Sequence, residues 1–97
     1  MTKSIHDKIA ERLARKFNTE YKSDKGIDIV TSRKVVEVET KKGSIQQGID
    51  QVVKSSKPRY LAVNKLNIKS ALEATEGTGI GVMGPSGNIV KKASRKG

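Results

Sequence analysis

Asp28, Glu37 and Glu39 are the side chains through which this 97-residue sequence is best equipped to do chemistry. They sit in two short apolar runs, Ile27 to Thr31 and Lys34 to Lys41, separated by Ser32 and Arg33. In the second run Val36 and Val38 alternate with Glu37 and Glu39, the two-residue period of a half-buried strand. The runs therefore predict a β-hairpin. A turn centred on Ser32 and Arg33 sets Asp28 directly across the ladder from Glu37, with Cβ atoms about 5 Å apart. Glu39 follows on the same face, about 7 Å away on the diagonal. Like charges facing each other on a sheet repel, so the patch calls for compensation by a bound cation, by Lys or Arg, or by solvent. Mg²⁺ or Mn²⁺ would supply it, because hard ions take one or two carboxylates and fill their remaining positions with water and phosphate oxygens. The ordinary alternative is a solvated acidic face paired with Lys25, Arg33 or Lys41.

The elements that must position this hairpin follow from periodicity and punctuation. Ile5, Ile9, Leu13 and Phe17 recur every four positions, with Ala10 and Ala14 widening the stripe, which predicts an amphipathic helix from Lys3 to Asn18. Tyr21 begins a short strand, and Ser23-Asp24-Lys25-Gly26 supplies turn chemistry. After the hairpin, Ile45, Ile49, Val52 and Val53 predict a second helix, stopped near Pro58. Ser44 and Gln47 fit a capping box, in which the serine accepts from the third helical amide and the glutamine reaches back. Arg59 to Val63, RYLAV, reads as a buried strand. Asn67 is placed to cap a third helix carrying Ile68, Ala71 and Leu72, ended by Gly77 and Gly79. A last hairpin runs over Ile80 to Met83 and Asn88 to Lys92, around Gly84-Pro85-Ser86-Gly87. The layout is α/β, a mixed sheet flanked by helices.

The hairpin runs resemble a known signature. Gly26-Ile27-Asp28-Ile29-Val30, a short turn, then Val35-Val36-Glu37-Val38-Glu39-Thr40 is similar to the PD-(D/E)XK motif of restriction endonuclease-like enzymes and archaeal Holliday junction resolvases. The likeness covers about two thirds of the chain. It implies a restriction endonuclease-like core (αβββαβ), with a C-terminal helix and β-hairpin appended, in a single domain over residues 1–97. It implies Asp28 and Glu37 as metal ligands in a metal-dependent DNA endonuclease. Glu39 stands where that motif expects Lys; some restriction endonucleases of this fold also carry Glu there. A second register, Glu39-Thr40-Lys41, restores an acid, a spacer and a Lys, with Lys41 or Lys42 as a substitute cation. By the same resemblance Gln47 lies near the metal, whereas its residue type and spacing favour the cap, and Glu11 or Asp7 of the first helix could join the site. Glu11 falls nearly opposite the apolar stripe, which places it in solvent. His6, the one histidine, reads as a packed or surface residue.

Composition supports a polyanionic partner. Lys and Arg number 20 against 10 Asp and Glu, a formal charge of +10, which raises the local concentration of nucleic acid. Arg33, Lys41, Lys42, Lys54, Lys57 and Arg59 are the expected DNA contacts, joined by Lys91, Lys92, Arg95 and Lys96; contacts of this kind orient a duplex without reading its sequence. Aromatic residues make up 3% of the chain, too few for a single-strand stacking platform. Duplex or branched DNA is therefore the expected partner, and a homodimer the expected assembly, since two strands require two sites. The alternatives are a DNA-binding protein on a nuclease-like scaffold that does not cut, and an RNA-binding protein without a metal. Gly79-Ile80-Gly81-Val82-Met83-Gly84 formally matches a dinucleotide-binding pattern, but its last glycine leads into a turn instead of a helix N-terminus. The chain has no cysteine, which removes disulfides and thiolate metal sites and suits a reducing, cytoplasmic setting. No apolar run approaches the roughly 20 residues needed to span a bilayer.

Overall fold

The first helix forms where its stripe and its cap agree. In the computed structural model, which describes residues 4–21 and 27–94, α1 spans Ile5–Lys16. Ser4 caps it by accepting the Asp7 amide at 3.1 Å, satisfying one of the amides that a helix start leaves without a partner. Ile9, Ala10, Leu13 and Ala14 are buried. Ile5 lies on the same stripe but remains 60% exposed, because it precedes the point where the helix meets the sheet. The helix ends as Asn18 takes a positive φ of 57°, a conformation asparagine tolerates.

Five strands form one mixed sheet in the order β1-β2-β3-β4-β5. They are β1 (Ile29–Val30), β2 (Val35–Glu39), β3 (Arg59–Val63), β4 (Gly81–Met83) and β5 (Ile89–Lys91). β1 and β2 are antiparallel, with Ile29 opposite Val36 and Val30 opposite Val35. Continued by one residue, this register sets Asp28 across from Glu37, as the turn position predicts. Thr31 closes the turn: its hydroxyl oxygen accepts from the amides of Arg33 and Lys34 at 3.1 and 3.0 Å. β2, β3 and β4 run parallel, and β4 and β5 form the closing antiparallel hairpin.

Several expectations are corrected. The first hairpin strand contracts from 27–31 to the two residues of β1, and Tyr21 contributes an isolated bridge to Ile29 instead of a strand. The expected turn over 23–26 lies outside the described residues. β2 is not half-buried: Val35, Val36, Glu37 and Val38 are all buried, because α1 covers one face and a second helix the other. The capping box does not form. A 3₁₀ turn over Lys42–Ser44 precedes α2 (Ile45–Val52), Ser44 has φ −105° and ψ 4° with no side-chain cap, and its hydroxyl donates to the Lys41 carbonyl at 3.0 Å. Asn67 precedes α3 (Ile68–Ala74) without capping it. Its amide nitrogen donates instead to the Thr40 carbonyl at 3.0 Å and to Asn64 Oδ1 at 2.6 Å. Gly77 and Gly79, with φ of 77° and 80°, turn the chain away from α3, positions where a Cβ would be strained.

The core has two layers. Ile9, Ala10, Leu13 and Ala14 of α1 pack with Ile29, Val36, Val38, Tyr60, Ala62 and Met83 on one face of the sheet. Ile45, Ile49 and Val52 of α2 and Ala71 of α3 pack with Val35, Leu61, Val63, Ile80 and Val82 on the other. Close packing of α2 depends on Gly48, where a Cβ would fall 2.7 Å from Glu39 Cγ and 2.8 Å from Leu61 Cδ1. Among the described residues no helix is long and apolar enough to cross a membrane.

Candidate functional site

Asp28 and Glu37 interlock at the open end of the β1–β2 hairpin. The Asp28 amide donates to Glu37 Oε1 at 3.0 Å, and Asp28 Oδ2 accepts from the Val38 amide at 2.9 Å. Each acid thus satisfies a backbone donor on the opposite strand, which fixes both side chains. Both residues are only 7% exposed, an uncommon state for carboxylates. Burial, then the nearby Asp28 carboxylate, pushes Glu37 up to about 8. Burial also raises Asp28 and Glu39 above the ordinary carboxylate range. A carboxyl poised near neutrality beside an anion is a frequent property of reactive sites.

Period-two alternation puts Glu39 on the face of Val35 and Glu37, and Gly48 leaves the space that Glu39 occupies against α2. The three acids expected to share a patch do so on one flank of β2. The β3 neighbours of Glu37 and Glu39 are Leu61 and Val63, so these two acids lie beside apolar side chains, in keeping with their upward shifts.

His6, which the sequence places as a packed or surface residue, adjoins this pair. His6 Nε2 lies 3.2 Å from Asp28 Oδ2, and its Nδ1 lies 3.2 Å from the Tyr21 hydroxyl. That hydroxyl donates to Asp7 Oδ1 at 2.8 Å, a bond that lowers Asp7 and, after burial, raises Tyr21. Tyrosine has one proton to donate, so the Tyr21 oxygen accepts from Nδ1–H and leaves Nε2 facing the aspartate. Two lone pairs at that separation repel, and a proton or a cation between them is required to hold the contact. The signal for His6 was its position two residues past the helix cap. Its aspartate partner could not be found without the way α1 crosses the sheet.

Among the described residues no group of three or more His, Asp or Glu side chains forms a ready-made metal cage. A hard divalent ion does not require one, since two carboxylates with water and phosphate oxygens complete its shell. The buried pair Asp28 and Glu37, each fixed by a cross-strand amide, fits that donor chemistry. Beside them, Asp7, Glu11, Glu20 and Tyr21 line an open cleft of about 440 Å³. Glu11, expected in solvent, is half-buried on the wall of this cleft.

The other expected residues separate. Gln47 is exposed, and its neighbour Gly48 is the residue that packs on Glu39. Lys41 and Lys42 are exposed just beyond the carboxyl end of β2. Arg33, Lys54, Lys57 and Arg59 collect at the opposite end of the sheet, where β2 and β3 begin. Two of them serve the fold: Lys57 Nζ donates to the Thr31 carbonyl at 2.7 Å, and Arg59 to the Val53 and Thr78 carbonyls at 3.4 Å each. Lys91 Nζ likewise donates to the Thr75 carbonyl at 2.8 Å. Lys92 is exposed, and Arg95 and Lys96 lie outside the described residues. The expected DNA contacts thus form two groups at opposite ends, and only the Lys41–Lys42 group adjoins the acids.

Comparison with protein-family models, with curated proteins and with solved structures finds no match in any of the three.

Proposed function

We propose that this chain is a metal-dependent DNA endonuclease of the PD-(D/E)XK type, hydrolysing phosphodiester bonds on a restriction endonuclease-like core. The observation that carries the reading is the interlocked pair of Asp28 and Glu37, two buried acids from adjacent strands fixed by each other's backbone. They would hold Mg²⁺ or Mn²⁺, which when bound makes a water more acidic and offsets charge on the phosphodiester. Glu39, on the same flank, orients the attacking water and accepts its proton. Lys41 and Lys42 stand at the end of β2 that leads to the acids and neutralise the approaching backbone, a part the missing motif Lys would otherwise share. His6 restrains Asp28 from the helix side. The proposed substrate is duplex or branched DNA, and a homodimer would bring one site to each strand. A cytoplasmic setting suits a chain without cysteine.

The test is cleavage of duplex, flap and four-way DNA with Mg²⁺, with Mn²⁺ and with chelator. Asp28→Asn and Glu37→Gln are each expected to lower the cleavage rate by about a thousandfold or more, as losing a group that acts on the transition state does. Metal-dependent cutting that survives both substitutions would discard the assignment. Glu39 at the Lys position favours a second reading, a DNA-binding protein on the same scaffold that does not cut. Binding that persists in both variants, with no cleavage by wild type under any cation, would select it.

A further inference from the structure

Among the described residues the most exposed large apolar side chain is Leu66, 90% exposed. An isolated exposed leucine is ordinary, but this one stands in a turn bonded to the neighbouring loop, on segments that carry exposed lysines. It sits in the 3₁₀ turn Lys65–Asn67 that leaves the carboxyl end of β3. Glu39 pairs with Val63 in the parallel register, so the segment after Glu39 and the segment after Val63 emerge side by side. Asn67 ties them together through its bonds to the Thr40 carbonyl and to Asn64. The leucine is therefore fixed relative to the loop that leaves the acidic strand. Lys41, Lys42, Lys65 and Lys69 are all exposed on these segments.

From this placement we propose that Leu66 is a wedge that enters an opened base step in DNA while the lysines of these segments hold the phosphates, making the protein selective for branched or distorted duplexes. The inference rests on the nuclease reading for its substrate class and adds to it the residue that sets specificity. Apolar side chains of this kind unstack base steps in DNA that is bent or already weakened, and gain most where unstacking costs least. Exposed lysines on the two adjoining segments contribute affinity without sequence preference. The two parts together predict recognition of structure over sequence.

The experiment uses a forked duplex and a fully paired duplex of the same sequence, each carrying 2-aminopurine at the fork position. Fluorescence and affinity are read in chelator, and cleavage separately in Mn²⁺. Wild type is expected to brighten the probe in the forked DNA and to bind it about tenfold more tightly than the paired duplex, the worth of burying one leucine side chain. Leu66→Ala should lose both effects while binding paired duplex like wild type, and Leu66→Met should keep them. Equal brightening and equal preference in Leu66→Ala would overturn the wedge, as would a wild type that neither unstacks nor prefers the fork. A change of sedimentation in Leu66→Ala would also overturn it, by assigning the leucine to a contact between copies. Failure of the nuclease reading has a different signature: no cleavage in Mn²⁺ while the fluorescence response persists, which leaves the wedge standing in a protein that only binds.

Discussion

The two faces of β2 are used differently. Towards α1 the strand presents Val36 and Val38, both 0% exposed against Ile9, Ala10 and Leu13. Towards α2 it presents Val35, then Glu37 and Glu39 beside Leu61 and Val63. One face gains dispersion and removes apolar area from water. The other places ionisable groups where the ionised form is penalised. The strand thus joins a face that stabilises to a face held in a costly state, and the contrast teaches which elements serve as scaffold. α1 anchors the hairpin and sets His6 against Asp28, and α2 closes on Glu39 through Gly48.

The contrast can be broken most sharply on the α1 face. Leu13→Ala is expected to cost about 2–5 kcal/mol, the range for truncating a fully buried leucine, and to lower the midpoint by about 10 °C or more by thermal melting. A loss under about 1 kcal/mol would show that the helix contributes little to anchoring.

On the opposite face the expected sign is reversed. Glu37 is raised from 4.5 to about 8, so between those values the folded chain binds a proton that the unfolded chain releases. Its contribution is full below about 4.5 and is lost as pH rises through about 8, and the cation-free protein should melt progressively lower across that window. Glu37→Gln keeps an acceptor for the Asp28 amide and removes the titration. In chelator it should stabilise the protein at pH 9 by about 1–3 kcal/mol, leave it little changed at pH 4.5, and flatten the pH profile between. A wild-type profile flat from pH 5 to 9 would contradict the buried state of Glu37.

A smaller effect is expected at the junction with α2. Gly48→Ala introduces a Cβ against Glu39 Cγ and Leu61 Cδ1, and should cost about 1–2 kcal/mol by denaturant unfolding. Because Glu39 must shift, any cleavage activity should fall further than stability alone explains. Equal stability in this variant would mean that α2 can lift from the sheet without loss.

Much of this arrangement is legible in the residues. The stripe of Ile9 and Leu13 locates α1, and the apolar RYLAV run locates β3 at the boundaries it occupies, Arg59 and Val63. Ser32 and Arg33 locate the turn, and from it the Asp28–Glu37 pairing. What was illegible depends on tertiary choices. The Lys42–Ser44 turn takes Ser44 out of capping geometry, so a local motif lost to a local alternative. Alternating Val and Glu reads as half-buried, yet a covered second face buries Glu37. His6 is near Asp28 only because α1 crosses the hairpin, and the six expected cations divide between the two ends because parallel strands send their loops to opposite edges.

β1 has two residues because cross-strand bonding changes hands at Asp28. Beyond Ile29, carboxylate oxygens take over from peptide carbonyls in joining the strands. The same oxygens therefore end the ladder and constitute the proposed ligand set. Any ion drawn to them must share them with two amides of the chain itself, so occupancy and the zippering of the hairpin's open end form one linked equilibrium, readable as altered hydrogen exchange at the amides of residues 28 and 38.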